Sequence, residues 1–462
     1  MHMKIVVCIR QGLDGELSPF DACAYEAALE IKDAEITLLS MGPERAKELL
    51  LKLTRLGAKK AVLLSDKAFA GADTLATAYV LSRAIEKLCP DLVICGRQTL
   101  VGDTAQTGPM LATMTHMRLV TNVMRIDSIT DKITCTTRTE GAQEAPLPAV
   151  LTIERINTLR LPRLTSKPGQ VQVWSASDIG ANPDKCGLAG SPTRVLETFE
   201  NEGGRRKCQF ISKDALGWAI EEGLKRNAQR ANATHVSDVK LPNVCIVGET
   251  PREFAETISD DITVLPLTTA DALAEEIAKR QPNAVLWGSD AKSKRLASQV
   301  AAELQLGLCA DCTALQTDGK TLAMYRPALS GSIIAKIESR TKPAMATVRT
   351  TQNSSDIVVA AGFGVKENLD AVKTFAQSIK ADLAASRKAV DHNLLPYNLQ
   401  VGLTGNRVSP PVYIAVGVSG AVHHIAGMQN AGTVIAINPD PDASIFQYAD
   451  YGILAEFSEI EC

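Results

Sequence analysis

The chain has 462 residues, 45% of them hydrophobic and only 4% aromatic, with a formal net charge of −3. That is ordinary α/β composition at a length suited to about two to four domains. The near-neutral balance argues against nucleic acid or an anionic membrane surface as partner, and no apolar run reaches transmembrane length, so no membrane insertion is expected. Eleven cysteines are scattered singly, mostly inside apolar runs such as 6–9 and 93–95. That suits a reducing compartment better than a disulfide framework. The first strand begins at Lys4, so no leader segment is expected, and a cytoplasmic location follows.

In chain order, strands are predicted at 4–9, 35–40, 61–65 and 91–95, and helices at 21–32, 43–56 and 74–88. This alternation reads as a parallel sheet with helices on both faces. After the fourth strand, Gly102, Asp103, Thr104, Gln106, Thr107 and Gly108 form a small, polar loop before a helix. Such a loop is either a plain turn or a phosphate cradle. An internal repeat favours the cradle. PDLVICG (90–96) resembles PNAVLWG (282–288), and PAVLTIE (148–154) resembles PAMATVR (343–349), at offsets of 192 and 195 residues. The chain therefore carries two copies of one α/β module. The second copy has SDAKSKR (289–295) in place of GDTAQTG, and a loop elaborated in one copy alone points to function.

The predicted domains are 1–190, a peripheral segment and linker at 191–240, a second module at 241–350 and a third unit at 351–462. A peripheral helix is expected at 214–225. The third unit reads as a five-stranded parallel sheet, with strands at 356–361, 382–385, 412–416, 433–437 and 452–455 and helices at 366–380, 421–428 and 442–449. Gly362-Phe363-Gly364 is a bare GxG and carries little weight. Cys309 and Cys312 form the one CxxC. Two ligands cannot close a zinc site, and a run of loop and strand does not suit a redox dithiol, so no metal is expected.

The stretch 400–428 concentrates the chemistry. Strand 412–416 runs into Gly417 and Gly420, which permit unusual backbone angles, and Ser419 is placed to cap a helix opening near Ala421. Strand, small-residue turn and helix N-terminus together make an anion site. His423 and His424 fall in the first helical turn, the loop before the strand offers Thr404 between Gly402 and Gly405, and Asn438 and Asp440 follow the next strand.

These residues resemble the electron transfer flavoproteins, with a β-subunit-like part followed by an α-subunit-like part. The β-like motifs are SPFDACAYEAALE (18–30), MGPERAKELL (41–50), CGRQTLVGDTAQTGP (95–109), LPAVLTIE (147–154) and GSPTRV (190–195). The α-like motifs are RPALSG (326–331), ASRKAVD (385–391), QVGLTG (400–405), AVGVSGAVHHIAGM (415–428) and ADYGILAE (449–456). The resemblance implies two related adenine-nucleotide-hydrolase-like parallel-sheet modules plus a C-terminal FAD-binding domain. It implies FAD held by Ser386 and Arg387, by Gln400, Val401, Gly402, Leu403, Thr404 and Gly405, and by Ser419, Gly420, Ala421, Val422, His423 and His424. Asn438 and Asp440 match the adenosine-side turn, and Glu456 an acidic position. In this correspondence Arg387 lies over the flavin ring edge, Thr404 near N5 and His424 against ring O2. A cation, a donor and a helix N-terminus there favour a flavin carrying one extra electron.

The β-like part implies a second nucleotide, AMP or a second FAD, at Cys8, Phe20, Asp21, Met41 and the loop Gly102, Asp103, Thr104, Ala105, Gln106, Thr107 and Gly108. Departures are Val101, Phe363 and Leu403, where the family often has aspartate, arginine and glutamine, and a shorter stretch at 161–170, where partner dehydrogenases dock. The function implied is an FAD electron carrier between a flavoprotein dehydrogenase and a quinone oxidoreductase or other acceptor protein, with no small-molecule substrate of its own. The alternatives are an electron-bifurcating relative with two FAD and a non-redox AMP or ATP sensor. A monomer or homodimer is expected.

Overall fold

The structure, a computed structural model, describes residues 3–12, 15–99, 102–154, 157–200, 205–231, 239–329, 333–349, 355–402 and 405–460. The chain forms two units, one from Met1–Phe199, Val236–Leu329 and Ile334–Arg349, the other from Glu200–His235, Ser330–Ile333 and Thr350–Cys462.

In the first unit, β1 (Met3–Cys8), β2 (Ala34–Met41), β3 (Lys60–Leu64) and β4 (Leu92–Gly96) alternate with α1 (Pro19–Leu29), α2 (Ala46–Thr54) and α3 (Thr74–Leu88). Their central residues are apolar and buried on both faces, as a helix-covered parallel strand requires. After α4 (Thr107–Met114), β5 (Arg118–Ile129), β6 (Lys132–Thr137) and β7 (Gly141–Pro146) form an antiparallel meander, followed by β8 (Ala149–Ile153) and β9 (Gln170–Trp174). The sheet has nine strands in the order β7-β6-β5-β8-β4-β1-β2-β3-β9.

After β10 (Thr193–Glu200), β11 (Gln209–Phe210) and α5 (Leu216–Ala231) comes the second module. It contains β12 (Val244–Val247), α6 (Arg252–Ile258), β13 (Ile262–Leu265), α7 (Ala270–Arg280), β14 (Ala284–Trp287) and α8 (Ala291–Leu304). It closes with β15 (Leu308–Cys312), β16 (Ala314–Thr317), β17 (Leu322–Ala328), β18 (Ile333–Ser339) and β19 (Ala344–Val348). Its five-stranded sheet has the order β13-β12-β14-β19-β15, and a four-stranded sheet has the order β10-β18-β17-β16. The repeat read from sequence is present in the topology: β2-β1-β4-β8-β5 of the first copy recurs as β13-β12-β14-β19-β15.

The second unit holds β20 (Ile357–Ala361), α9 (Leu369–Ser378), β21 (Asp382–Ala385), α10 (Arg387–Asp391), β22 (Val412–Val416), α11 (Val422–Met428), β23 (Thr433–Ile437) and β24 (Tyr451–Ile453). The predicted strands stand within a residue or two of their places. The sheet nevertheless has six strands, β11-β24-β23-β22-β20-β21, all parallel.

The sixth strand corrects the reading of 191–240 as peripheral. β11 joins the edge at β24, and Arg206 just before it pairs with Asp450 and donates to the carbonyls of Ala431 at 2.6 Å and Gly432 at 3.0 Å. The helix expected at 214–225 is also integral. Leu216, Ala219 and Ile220 of α5 enter the core with Ile357, Val412 and Ile435, and Trp218 meets Tyr451 edge-on at 5.4 Å. Gly223 lets the helix touch the sheet, since a Cβ there would lie 2.8 Å from Val412 Cγ2 and 2.9 Å from Thr433 Cβ. Gly223→Val is therefore expected to lift α5 and destabilise the second unit by about 1–3 kcal/mol, as overpacking does. Thermal melts of the variant check this, and an unchanged melt would return α5 to the periphery.

Candidate functional site

All six strands of the second unit deliver their carboxyl ends to one edge. From β20 the chain turns to β21 on one side, and from β22 to β23 on the other. α9 packs on the face of Val359 and Ala361, α11 on the face of Val358 and Ala415. The β20–β22 junction is thus a topological switch point, where open α/β sheets bind ligands. The backbones meet closely there. Gly362 N donates to Val416 O at 2.7 Å and Gly364 N to Gly417 O at 3.2 Å. A Cβ on Gly362 would fall 1.9 Å from Gly417 O, so only glycine fits. Gly417 (φ +63°) and Gly420 (φ +88°) take the left-handed angles expected of them.

Ser419 does not cap α11. The helix opens at Val422 behind Ala421 without a side-chain cap, and the Ser419 carbonyl accepts from Ile445 N at 3.1 Å. The consequence strengthens the anion reading. Among the described residues no acceptor meets the N–H groups of Ser419, Gly420, Ala421 or Val422, which leaves a row of donors at one turn.

His423 and His424 do lie in the first turn, but they differ. His423 is exposed, whereas His424 is buried with Nε2 2.9 Å from the Tyr413 hydroxyl. Burial pushes the His424 pKa down from 6.5 to about 4. Its ring is neutral near pH 7, so any donation to a ligand comes from a neutral tautomer and not from a cation.

The segment before β22 lies on α11. Gln400 forms an isolated bridge with Ala385, Val401 N donates to Ala385 O at 2.9 Å, and Gly402 (φ +147°) rests against the His423 carbonyl. Gly405 N donates to Gly402 O at 3.1 Å. Leu403 and Thr404 lie outside the described residues. Ser386 caps α10, its hydroxyl accepting from Ala389 N at 3.3 Å. Arg387 is 39% exposed and has Asp391 at 3.2 Å. Phe363, which stands where the resemblance expects arginine, stacks on His392 at 4.5 Å under Lys388 at 4.5 Å, so positive charge remains beside that position. Asn438 is buried and structural: Nδ2 donates to Val418 O, and Oδ1 accepts from Asp440 N, each at 3.0 Å. Glu456 is taken up by a capping box with Glu459. A row of backbone donors with a permanent cation on the same sheet edge fits an anionic, oxygen-rich cofactor such as FAD.

The first unit has its own switch point, between β1 and β4. A cavity of about 470 Å³ opens there. Of the residues singled out from sequence, Cys8, Asp21, Met41, Gly102, Thr104, Ala105, Gln106 and Thr107 line it. Three stand behind the lining. Phe20 is fully buried beneath Arg97, Asp103 is buried with its carboxylate accepting from Gln98 Nε2 at 2.7 Å, and Gly108 brings α4 onto β8. At Gly108 a Cβ would lie 2.4 Å from Thr152 Cγ2. Burial pushes the Asp21 carboxyl up to about 7, against the opposing N–H groups of Arg10 and Gly96.

Sequence reasoning missed two contributors. The start of α3, with Asp73, Thr74 and Thr77, lines the cavity; the helix is legible in the sequence, but the sheet order that brings its start there is not. Arg326 of β17 also lines it, a residue marked only by the RPALSG motif. Cys309 and Cys312 are both buried in β15. Among the described residues no cluster of three or more His, Cys, Asp or Glu could hold a metal, and no helix is long and apolar enough to cross a membrane.

Comparison with known proteins matches residues 5–179 and 258–380 to the Electron transfer flavoprotein domain, and residues 352–429 to the Electron transfer flavoprotein FAD-binding domain. The electron transfer flavoprotein subunit beta of Thermoanaerobacterium thermosaccharolyticum is 36% identical over 242 residues, 49% of this chain and 90% of that one. Protein FixA of Azorhizobium caulinodans is 37% identical over 231 residues, 46% of this chain and 82% of that one. The caffeyl-CoA reductase–Etf complex subunit CarD of Acetobacterium woodii is 42% identical over 212 residues, 42% and 80% of the two chains.

The buried histidine generates a pH prediction. Unfolded, His424 takes up a proton as pH falls through its ordinary 6.5; folded, it resists until about 4. The unfolded state binds more protons in that window, so stability falls as pH drops across it. At pH 4.5 the loss from this residue is roughly 2–3 kcal/mol. His424→Gln is expected to flatten the pH dependence of thermal stability between pH 6.5 and 4.5, and an unaltered slope would rule the residue out as its source.

Proposed function

Because the chain belongs to the electron transfer flavoprotein family, we propose that it is an FAD electron carrier that accepts electrons from a flavoprotein dehydrogenase and passes them to a quinone oxidoreductase or another acceptor protein. A β-subunit-like half is followed on the same polypeptide by the FAD-binding domain. The observation that carries the reading is the turn at 417–422, whose N–H groups from Ser419 to Val422 have no acceptor among the described residues.

FAD supplies a ring that takes up and returns electrons singly. The chain's residues do the rest. The N–H row and the two turn glycines hold the diphosphate. Arg387 brings a guanidinium that is 39% exposed and favours negative charge arriving beside it. Ser386 fixes the start of α10 and so the position of that arginine. His423 is the exposed imidazole of the turn, His424 the buried neutral one. The apolar ends of β20 and β22 exclude water from beneath. In the first unit, Asp103 and Gln98 shape a loop that receives the adenine nucleotide, AMP or a second FAD.

The docking of a partner is read at Leu161 and Leu164, which are 89% and 100% exposed in the stretch that resembles the family's dehydrogenase-binding loop. None of the described cysteines forms a disulfide, which suits a cytoplasmic setting. A monomer or homodimer accords with two subunit-like halves on one chain.

A second reading, an electron-bifurcating carrier with two FAD, is favoured by the likeness to a subunit of a caffeyl-CoA reductase–Etf complex. Nucleotides released on denaturation decide between them: about one FAD per chain with AMP for the simple carrier, about two FAD for the other. A protein that stays colourless with added FAD would defeat both and leave a nucleotide sensor.

Two substitutions test the residues. Arg387→Ala is expected to keep FAD bound but lower the potential of the first electron in a reductive titration; an unchanged potential removes Arg387 from that role. Asp103→Ala is expected to weaken the first-unit nucleotide and leave FAD in the second unit; simultaneous loss of both would show that the two sites are wrongly assigned.

A further inference from the structure

The cavity between β1 and β4 is not completed by the first repeat. Leu308, Cys309, Ala310, Arg326 and Ile337, all of the second repeat, line its far wall. Arg326 is the one that matters electrostatically. It is 7% exposed, and its Nη2 donates to the carbonyls of Gly102 at 2.8 Å and Asp103 at 3.3 Å. Its Nε is buried with no partner among the described residues. Nor does any carboxylate among the described residues approach its guanidinium within 4.0 Å. The neighbouring acid, Asp311, is held by Lys294 at 2.7 Å. Of the other cations on the cavity, Arg97 has Glu154 at 3.2 Å, and Arg10 is exposed and donates to Thr99.

A buried charge without a counter-charge is expensive, and neutral carbonyls compensate it only in part. A second unsatisfied group stands nearby in the lining. Gln106 is 2% exposed; its Nε2 donates to Leu308 O at 3.3 Å, while its Oε1 is buried without a donor. The loop between these anchors is unusual in itself, since Asp103 (φ +50°) and Ala105 (φ +56°) both occupy the left-handed region without being glycine. Such angles persist where surrounding contacts over-determine them. Here those contacts include three hydrogen bonds reaching into the second repeat, two from Arg326 and one to Leu308.

We propose that Arg326, supplied by the second repeat, is the anchor for the phosphate of the adenine nucleotide bound in the first repeat, with Gln106 Oε1 accepting from a hydroxyl or amino group of the same ligand. This rests on the nucleotide reading of the cavity given above and adds its anionic subsite. The phosphate, whether of AMP or of FAD, supplies the missing counter-charge. The arginine holds loop and ligand together, so nucleotide occupancy and the joint between the repeats stabilise each other.

The test uses the full chain carrying its FAD and freed of loosely held nucleotide. AMP, FAD and adenosine are titrated separately by calorimetry, so that the source of the phosphate is identified as well. The wild type is expected to bind a phosphate-bearing ligand at least about tenfold more tightly than adenosine, the scale of a charge-assisted contact. Arg326→Gln is expected to remove that preference, so that AMP, FAD and adenosine bind alike, while second-unit flavin absorbance stays as it was. Equal binding of AMP, FAD and adenosine by the wild type overturns the proposal without any variant. So does an Arg326→Gln protein that keeps the preference. A wild type that binds none of the three removes the nucleotide reading itself, which is a different result from losing the arginine's role alone.

Discussion

Parallel pairing is the constraint from which both sites follow. A strand that must be re-entered from the same end sends its carboxyl terminus, and every loop after it, to one edge of the sheet. Where the winding reverses, two loops part and leave their N–H groups facing a crevice. In the second unit this happens between β20 and β22, and in the first between β1 and β4. The glycines at these points follow from the same constraint. Gly362 and Gly417 are close because adjacent strands end together, and the N–H groups from Ser419 to Val422 meet no acceptor among the described residues.

The two repeats show what happens when the same geometry is closed. In the second copy, β14 ends at Trp287, and Asp290 caps α8 by accepting from Ser293 N at 3.0 Å. A Cβ on Gly288 would meet Asp290 Oδ2 at 3.0 Å and Ser293 Oγ at 3.4 Å. The helix start that might hold an anion already holds its own aspartate. In the first copy the corresponding loop is lengthened, α4 starts at Thr107 without a side-chain cap, and the space stays open. One scaffold thus carries a filled and an unfilled version of the same turn, and the filled version lends its β17 arginine to the unfilled one.

Strands were legible in the sequence because continuous apolar runs buried on both faces have few other uses; VYIAV and TVIAI landed on β22 and β23 at both ends. The repeat was legible for the same reason, since its matched segments are strands. What the sequence did not show is set by long-range placement. α5 reads as a polar surface helix because much of its surface is exposed, yet Gly223 marks where it touches the sheet. Ser419 carries a capping residue type, but the helix opens later than its position requires. His423 and His424 are the same residue one step apart, and only the packing of α11 on Tyr413 buries the second. Arg326 lies 224 positions from the Gly102 carbonyl that it binds, a distance over which local pattern carries no information.

The division of labour among the cationic groups then has a physical logic. A group near a redox centre whose protonation changed at neutral pH would make electron affinity follow pH. His424 is kept neutral by burial, and the Tyr413 hydroxyl beside its Nε2 is held far above its ordinary range by burial as well. The positive potential at the edge of the second unit comes from Arg387, from Lys388 over Phe363 and from the fixed dipoles of the N–H row. Arginine and backbone amides keep their polarity at every physiological pH. In the first unit the buried cation facing the cavity is also an arginine, Arg326, while Asp21, on the same lining, accepts from Arg10 N at 2.8 Å and is pushed up to about 7 by burial. A carrier of the kind proposed above needs a potential set by its own fold, and charges fixed at helix starts and sheet edges are suited to set it.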